Sequence, residues 1–368
     1  MLKRKIAFIL YSLEGGGVER VVLNLALSFT KKGYLVDLLV VNYKGEFLNH
    51  VPENVRVFDL NKKNIRSCFL PIRTYLLTER PDVLISAKDY INIVMILIRL
   101  VTKVSTKLII STHTNVTEQL RFAPKKTKRI IRLMSLLYRF ADKVVCVSTG
   151  AANEVKKITK LANKDIRVIY NPVVTADFLE EANKEVSHPW FSGEHLVLIT
   201  VGRLEVAKDY PTLLKAFKRV KDTLEDAKLI IIGDGPDKES LIRLSKDLGL
   251  EHDVSFLGFI DKPYSYIKQA HVFILSSAWE GFGNVLVEAL AVGTPVVSTD
   301  CPSGPSEILK EGEFGRLVPV GDELSLAKAI ILTIGESPNR AKLIGRANDF
   351  TIEKSFNQYE KLVNDVVV

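Results

Sequence analysis

The chain has 368 residues, more than one ordinary hydrophobic core accommodates, so two domains are predicted. With 47% hydrophobic and 26% charged residues, the composition excludes an intrinsically disordered protein. The net charge of +8 is unevenly spread: residues 1–180 carry 30 Lys and Arg against 15 Asp and Glu, whereas residues 181–368 carry 21 against 28. A basic half of this kind makes an anionic membrane surface or a nucleic acid a candidate partner.

Export and membrane-spanning segments are not predicted. The longest apolar run, Ile91–Val101, is shorter than the ~20 residues of a membrane span and contains Asn92 and Arg99. A cationic start followed by Ile6–Leu13 imitates a signal peptide, but no small-residue cleavage site precedes Glu14. The run therefore predicts a buried first strand.

The cysteines indicate the compartment. Cys68, Cys146 and Cys301 lie far apart and include no Cys-x-x-Cys pair, which favours a reducing cytoplasm and argues against structural zinc. The sequence also contains no helix-turn-helix pattern, zinc module or aromatic-rich binding signature, which disfavours nucleic acid as the partner.

Short apolar runs alternate with helical patterns in two series, which predicts two parallel sheets with right-handed crossovers. The first series of predicted strands is Ile6–Tyr11, Leu35–Val41, Val83–Ser86, Leu108–Ser111 and Val144–Ser148. The second series is Leu196–Val201, Leu229–Ile232, Val254–Phe256, Val272–Leu275 and Val296–Ser298. The predicted fold class is α/β, with Rossmann-like domains at 1–180 and 181–350 facing across a cleft, and a C-terminal helix within 351–368 that packs back on the first domain.

A glycine-rich loop follows the first predicted strand and opens a helix. Gly15, Gly16 and Gly17 would let backbone amides approach a phosphate, and a helix N-terminus favours negative charge. The pattern is neither the dinucleotide-binding Gly-x-Gly-x-x-Gly nor a P-loop. A tight turn without a ligand remains an alternative.

In the second series, Arg203 and Lys208 follow the first strand. A guanidinium and an ammonium group on one loop can together neutralise a diphosphate, although a solvated basic loop is the alternative. In the first series, His113 follows the strand Leu108–Ser111. It could bind sugar hydroxyls or move a proton, or could be a structural loop residue.

Two carboxylates flank a glycine-bracketed turn. Glu280 follows the strand Val272–Leu275, and Glu288 lies on the helix predicted at Val285–Val292. At ~1.5 Å rise per residue the two lie up to roughly 12 Å apart, whereas a glycosidase acid–base pair lies about 5–9.5 Å apart. We therefore expect them to contact different parts of one long ligand.

A basic segment at 121–132 runs from a loop into a helix that alternates cations with Ile, Leu and Met. Such a segment can lie on anionic lipid headgroups. A solvated basic helix face above an ordinary core stripe is equally compatible with the pattern.

Together, these motifs resemble the family 4 glycosyltransferases, which are retaining enzymes with the GT-B architecture. The matching pieces are Gly-Gly-Gly-Val-Glu-Arg at 15–20, Gly-Arg-Leu-x-x-x-Lys-Asp at 202–209, Gly-Asp-Gly-Pro at 233–236 and Glu-Gly-Phe-Gly-Asn-x-x-x-Glu at 280–288. Cys-Pro-Ser-Gly-Pro-Ser-Glu at 301–307 is similar to the bacterial capsule and O-antigen branch.

The resemblance implies roles for residues of the second domain. Arg203 and Lys208 would hold the donor diphosphate. Glu280 would contact hydroxyls of the donor sugar, and Glu288 would accept hydrogen bonds from the nucleotide ribose. Backbone amides near the sugar would come from Phe282, Gly283 and Asn284.

In the first domain, the resemblance implies that Gly16 and Gly17 approach the diphosphate and that His113 lies near the reacting sugar. No metal and no cofactor is required, because fixed cations stabilise the leaving group. The implied reaction moves a hexose or N-acetylhexosamine from a nucleotide sugar, with UDP the family's usual nucleotide. The acceptor is hypothesised from the basic first half to be a glycan or a polyprenyl-diphosphate-linked sugar.

The basic first half and its basic segment at 121–132 predict work at the cytoplasmic face of the cell membrane, with the protein peripherally bound to anionic lipid. A UDP-sugar epimerase of the same architecture is the alternative enzyme, and a sugar-binding protein is the alternative without catalysis. An epimerase would release epimerised sugar without any acceptor. The sequence leaves the donor sugar, the acceptor, the linkage and the oligomeric state open.

Overall fold

The computed structural model describes residues 4–121 and 124–367, which form two compact units. The first unit comprises residues up to Pro172 together with the segment from Ile352 onwards, and the second comprises Val173–Thr351. Each unit is built on one fully parallel sheet. The predicted fold class, two parallel α/β sheets, is confirmed.

The first sheet has seven strands in the order β3-β2-β1-β4-β5-β6-β7. Their bounds are β1 Lys5–Leu10, β2 Leu35–Val40, β3 Val55–Asp59, β4 Val83–Ala87, β5 Lys107–Thr112, β6 Lys143–Cys146 and β7 Ile166–Val168. The helices of this unit are α1 Gly17–Lys31, α2 Phe69–Glu79, α3 Asp89–Thr102, α4 Pro124–Leu137, α5 Thr149–Thr159 and α14 Ile352–Val367. The central strands are apolar along their length because helices cover both faces of the sheet.

The second sheet has six strands in the order β10-β9-β8-β11-β12-β13. Their bounds are β8 Leu196–Val201, β9 Ala227–Ile232, β10 Val254–Gly258, β11 Val272–Leu275, β12 Val296–Thr299 and β13 Arg316–Val318. The helices are α6 Phe178–Ala182, α7 Tyr210–Lys221, α8 Lys238–Asp247, α9 Tyr264–Gln269, α10 Asn284–Ala291, α11 Pro305–Ile308, α12 Glu323–Ile334 and α13 Arg340–Ala347.

Three strands were not identified from the sequence pattern: β3, β7 and β13. All three lie at the edges of the sheets, and two of them have only three residues. An edge strand is covered on fewer sides, so it carries exposed polar residues and lacks the continuous apolar run of the central strands. The central strands of both sheets were predicted because nearly all of their residues are buried.

Both sheets reverse their strand order at one point, between β1 and β4 in the first sheet and between β8 and β11 in the second. The crossover loops leave in opposite directions there, which opens a crevice outside the carboxyl ends of the strands, where doubly wound sheets bind ligands. In the first sheet the adjoining loops are residues 11–16 and Lys88. In the second sheet they are residues 202–209 and 276–283.

Helix α14 lies in the first unit, although it ends the chain. Its apolar stripe joins the core beside α1: Phe356 packs edge-on against Phe29 with ring centroids 5.0 Å apart. Ser355 donates a hydrogen bond to the carbonyl oxygen of Tyr170. Over residues 4–121 and 124–367, the structure contains no helix that combines the length and the apolar character of a membrane span.

Candidate active site

The clearest feature of the second unit is an ion pair at the strand-order reversal. Lys208 ends a 3-10 turn in the loop after β8, and its Nζ lies 2.5 Å from Oε1 of Glu280, in the loop after β11. Ser277 donates a second hydrogen bond to the same carboxylate oxygen at 2.7 Å. The two loops are joined further because Ser276 donates to the carbonyl oxygen of Lys208.

The pair is mostly buried, with 18% of the Lys208 side chain and 10% of the Glu280 side chain exposed. Burial opposes the charge on Lys208, but the attraction and hydrogen bond of Glu280 outweigh it and raise the pKa of the ammonium group. Lys208 is therefore a fixed cation at neutral pH. The Glu280 carboxylate holds this ammonium group in one orientation.

Arg203 lies in a different environment. Its side chain is 68% exposed, and its Nε lies 3.6 Å from a carboxylate oxygen of Glu205. The loop beneath it is rigid: Gly233 faces Gly202 so closely that a Cβ at Gly233 would lie 1.9 Å from the carbonyl oxygen of Gly202. Arg203 thus combines an exposed guanidinium group with a closely packed backbone, which suits a group that contacts a ligand.

The loop after Glu280 leads directly into α10. Gly283 has φ +100° and caps the helix, Asn284 is its first residue, and Glu288 lies on the buried side with 6% exposure. The side chain of Phe282 is buried and packs edge-on against Phe350 with centroids 5.5 Å apart. This anchoring fixes the amides at the helix N-terminus, where negative ligand groups are favoured.

A second loop, residues 301–307, packs against the first. Gly304 has φ +107°, and a Cβ there would lie 1.8 Å from the carbonyl oxygen of Phe282. Arg346 holds the short helix α11 that follows Gly304 by donating to the carbonyl oxygens of Glu307 and Ile308, and its guanidinium group lies 4.9 Å from the Phe350 ring centroid. In the sequence, the close contact between Gly304 and Phe282 is indicated by the glycine of the motif at 301–307.

Gly304→Ala is expected to abolish nucleotide binding, because the added methyl group must displace the backbone of Phe282 and with it the α10 N-terminus. Gly321→Ala is the matched control, since Gly321 has φ +75° in the same unit and nothing within 4 Å of its ideal Cβ position. Calorimetric titration with UDP and thermal unfolding of both variants would check the prediction. Equal UDP affinities in the two variants would contradict it.

In the first unit, an ion pair at the strand-order reversal joins the start of α1 to the loop residue after β4. Glu19, in the first turn of α1, accepts a hydrogen bond from Nζ of Lys88 at 2.5 Å. Gly16 is the N-cap of α1 and Gly17 its first residue. A Cβ at Gly16 would lie 2.3 Å from the second carboxylate oxygen of Glu19, so the absent side chain at Gly16 makes room for Glu19.

His113 follows β5 at the same edge of the first sheet. Its Nε2 lies 2.9 Å from Oγ of Ser111. Burial, assisted by the charge of Lys88, lowers the pKa of His113 to about 3. The imidazole is therefore neutral at physiological pH, and it can exchange hydrogen bonds with an uncharged hydroxyl group.

The predicted basic segment at 121–132 falls largely on α4, but Phe122 and Ala123 lie outside the described residues. On α4, Thr127 and Met134 are buried, and the exposed cations are Lys125, Lys126, Lys128, Arg129 and Arg132. No group of three or more potential metal-binding side chains occurs in the described part of the chain.

The structure thus brings Lys208 and Glu280 into direct contact, a pairing that the sequence did not predict. Arg203, Glu288 and the amides of 282–284 belong to the same unit, and Gly16, Gly17 and His113 belong to the other. Sequence reasoning did not single out Glu19 and Lys88. Lys88 directly follows the central strand β4, and Glu19 lies in the first turn of α1, within the glycine-rich motif at 15–20.

Two doubly wound parallel sheets with charged and polar side chains at the carboxyl ends of their strands define a class of protein, the glycosyltransferases of GT-B architecture. The family model for glycosyl transferases group 1 matches residues 183–350, and that for glycosyltransferase family 4 matches residues 15–177. The chain belongs to this glycosyltransferase family. The recognition of the family from the motifs is confirmed.

Relatives with assigned activities are similar over nearly the whole length. The Campylobacter jejuni N-acetylgalactosamine-N,N'-diacetylbacillosaminyl-diphospho-undecaprenol 4-alpha-N-acetylgalactosaminyltransferase is 29% identical, covering 94% of this chain and 96% of the relative. A second C. jejuni enzyme, which acts on a GalNAc-containing PP-undecaprenol glycan as an alpha-1,4-N-acetyl-D-galactosaminyltransferase, is 29% identical and covers 98% and 99%.

Solved structures support the GT-B fold. Sucrose-phosphate synthase from Thermosynechococcus elongatus superposes with a TM-score of 0.82 at 19% identity, covering 99% of each chain. The Anabaena protein HepE in complex with UDP and glucose superposes with a TM-score of 0.78 at 20% identity, covering 98% of this chain and 100% of HepE. The comparisons give the epimerase alternative no support.

Proposed function

We propose that this glycosyltransferase moves a hexose or N-acetylhexosamine from a UDP-sugar to a polyprenyl-diphosphate-linked sugar or glycan, with retention of the anomeric configuration. The observation that carries the proposal is the Lys208–Glu280 pair beside Arg203 and the α10 N-terminus. The full-length similarity to the two C. jejuni enzymes supports the acceptor class, because their names specify undecaprenol-linked diphosphate glycans.

The chemistry follows from charge. Breaking the bond between the sugar and the diphosphate places growing negative charge on the leaving group, and preorganised cations and amides stabilise it. Lys208 and Arg203 supply two positive charges without a metal ion, so we expect transfer to continue in excess EDTA. Glu280 would accept hydrogen bonds from donor-sugar hydroxyls, and neutral His113 would bond a sugar hydroxyl.

The test is a transfer assay with purified protein, a panel of UDP-sugars and GDP-mannose, and a synthetic undecaprenyl-diphosphate disaccharide. We expect one UDP-sugar to give an elongated lipid-linked product whose new linkage, read by NMR, keeps the donor's anomeric configuration. Reactions without acceptor serve as the control. Release of epimerised sugar in that control, or an inverted linkage, would contradict the proposal.

A lipid-linked acceptor requires access to the membrane surface. The first unit offers α4, with its exposed cations, next to apolar side chains at the ends of α3 and α4: Val101, Leu136 and Phe140 are 65%, 51% and 44% exposed. These ends are adjacent, because Arg99 on α3 donates to the carbonyl oxygen of Phe140. Cations beside exposed apolar groups suit the inner, anionic face of a cell membrane.

Sedimentation with vesicles tests this surface. We expect binding to vesicles with anionic lipid to exceed binding to neutral ones, and the triple variant Lys125→Glu, Lys128→Glu, Arg132→Glu to lose at least about tenfold in partitioning, since each cation near the surface contributes about 1 kcal/mol. The control reverses three exposed cations of the second unit, Lys215, Arg243 and Lys246. Equal losses in both triple variants would contradict the assignment.

A further inference from the structure

The two sheets carry matching ion pairs at corresponding positions. In the second sheet, Lys208 and Glu280 join the loops after β8 and β11, the strands at the order reversal. In the first sheet, Glu19 and Lys88 join the segments after β1 and β4, which occupy the same place in that sheet. The first pair is part of the proposed donor site, whereas nothing so far assigns a role to the second.

Lys88 is held in a backbone conformation that disfavours it. Its φ and ψ are +80° and 128°, values that cost a residue with a Cβ about 1–3 kcal/mol and that glycine adopts freely. The carbonyl oxygen of Lys88 caps α3 by accepting from the amides of Ile91 and Asn92, which any residue could do. Glycine would therefore fit the backbone conformation at this position with less strain. The presence of lysine is explained by what its side chain contacts.

Glu19 adds a second cost. Its side chain is 3% exposed, and removing a carboxylate from water is expensive even when it is paired. Burying such a pair in place of apolar side chains contributes little to stability. A strained lysine bound to a buried glutamate is therefore poorly explained by stability alone.

The pair does have a geometric effect. Through Glu19, whose carboxylate fills the space over Gly16, Lys88 ties the glycine-rich loop to the end of β4. The charge of Lys88 also acts on His113, at the end of the next strand, and opposes its protonation. The ammonium group of Lys88 thus binds Glu19 in the first turn of α1 and lowers the pKa of His113.

We propose that Lys88, through its ion pair with Glu19, is a positioning residue for glycosyl transfer, fixing the glycine-rich loop relative to His113 at the carboxyl edge of the first sheet. The consequence for catalysis rests on the proposed function. The positioning itself does not, and it can be measured separately.

The test variant is Glu19→Gln/Lys88→Gly, which removes the pair without leaving a buried unpaired charge and relieves the backbone strain. We expect its melting temperature to equal or exceed that of the wild type, whereas kcat falls at least tenfold and the affinity for UDP changes less than threefold. A purely structural role would lower the melting temperature. Lys88→Arg, which keeps the cation, is expected to recover most of the lost kcat.

The matched control is Lys103→Gly. Lys103 is an exposed lysine with φ +54° at the other end of the same helix, so it shares the residue type and a positive φ but lies away from the pair. We expect wild-type kcat in this variant.

Hydrogen exchange separates the inference from the proposed function. Backbone amides of residues 14–18 should exchange at least tenfold faster in the double variant than in the wild type and the control, whether or not a transfer assay succeeds. Unchanged exchange in this loop, or wild-type kcat in the double variant, would overturn the proposal. Absence of transfer by the wild type itself would instead refute the proposed function. In that case the exchange rates of residues 14–18 alone would test whether Lys88 positions the glycine-rich loop.

Discussion

Lys208→Met is expected to lower kcat/KM about 100-fold, or about 2.7 kcal/mol, which is the size of loss seen when one preorganised donor is removed from an anionic transition state. Lys208 is expected to be this sensitive because its ammonium group is already held in place by Glu280 at 2.5 Å. The measurement is steady-state kinetics with the preferred UDP-sugar and the lipid-linked acceptor.

The same substitution should also destabilise the second unit. It leaves the carboxylate of Glu280 with the hydroxyl of Ser277 but without its cation, and removing one partner of a buried ion pair costs about 3–5 kcal/mol. The double variant Lys208→Met/Glu280→Gln should recover that stability in urea unfolding and remain inactive. Recovery of activity together with stability would show that Lys208 acts only by supporting the fold.

Arg203→Ala provides the contrast within the same loop. We expect at least a tenfold loss of kcat/KM, about 1.4 kcal/mol, with no measurable loss of stability because the side chain is mostly exposed. Lys215→Ala is the control, since Lys215 is an exposed lysine of the same unit. Wild-type rates in both the Arg203 and the Lys208 variants would rule out the diphosphate assignment.

Glu280→Gln and Glu288→Gln are expected to separate turnover from affinity. Glu280→Gln should lower kcat about 100-fold while UDP binds within threefold of the wild-type affinity, because the carboxylate holds Lys208 and, in the proposed function, accepts hydrogen bonds from donor-sugar hydroxyls. Glu288→Gln should weaken UDP binding about tenfold, or about 1.4 kcal/mol, with kcat at saturating donor within threefold. Calorimetric titration with UDP and donor-saturation kinetics measure the two quantities.

The control for this pair is internal, because both substitutions are isosteric and lie eight residues apart on one loop–helix segment. A general disturbance of that segment would affect kcat and UDP affinity in both variants alike. A lower kcat in Glu288→Gln with intact UDP binding would contradict the separate roles of the two carboxylates.

The sequence alone predicted the central strands, because strands covered on both faces are continuous apolar runs, and it predicted that polar motifs follow them. The carboxyl ends of parallel strands meet at one edge of a sheet, so Arg203, Lys208 and Glu280 could be placed at a common edge from their order in the chain. The ordered motifs were also enough to recognise the family. Half-exposed and very short strands such as β3 and β13 carry no such signal.

Only the tertiary structure decided which side chains meet. Lys208 and Glu280 are 72 residues apart, and Glu19 and Lys88 are 69 apart. Their contacts depend on β8 lying beside β11 and β1 beside β4, and strand order is set by the packing of the whole sheet rather than by any local pattern. The backbone conformation of Lys88 is likewise imposed by its surroundings, since the local preference of lysine opposes it. The sequence by itself therefore determined the fold class, the family and the edge of each sheet at which the candidate site residues lie, while the long-range packing determined the ion pairs at that edge.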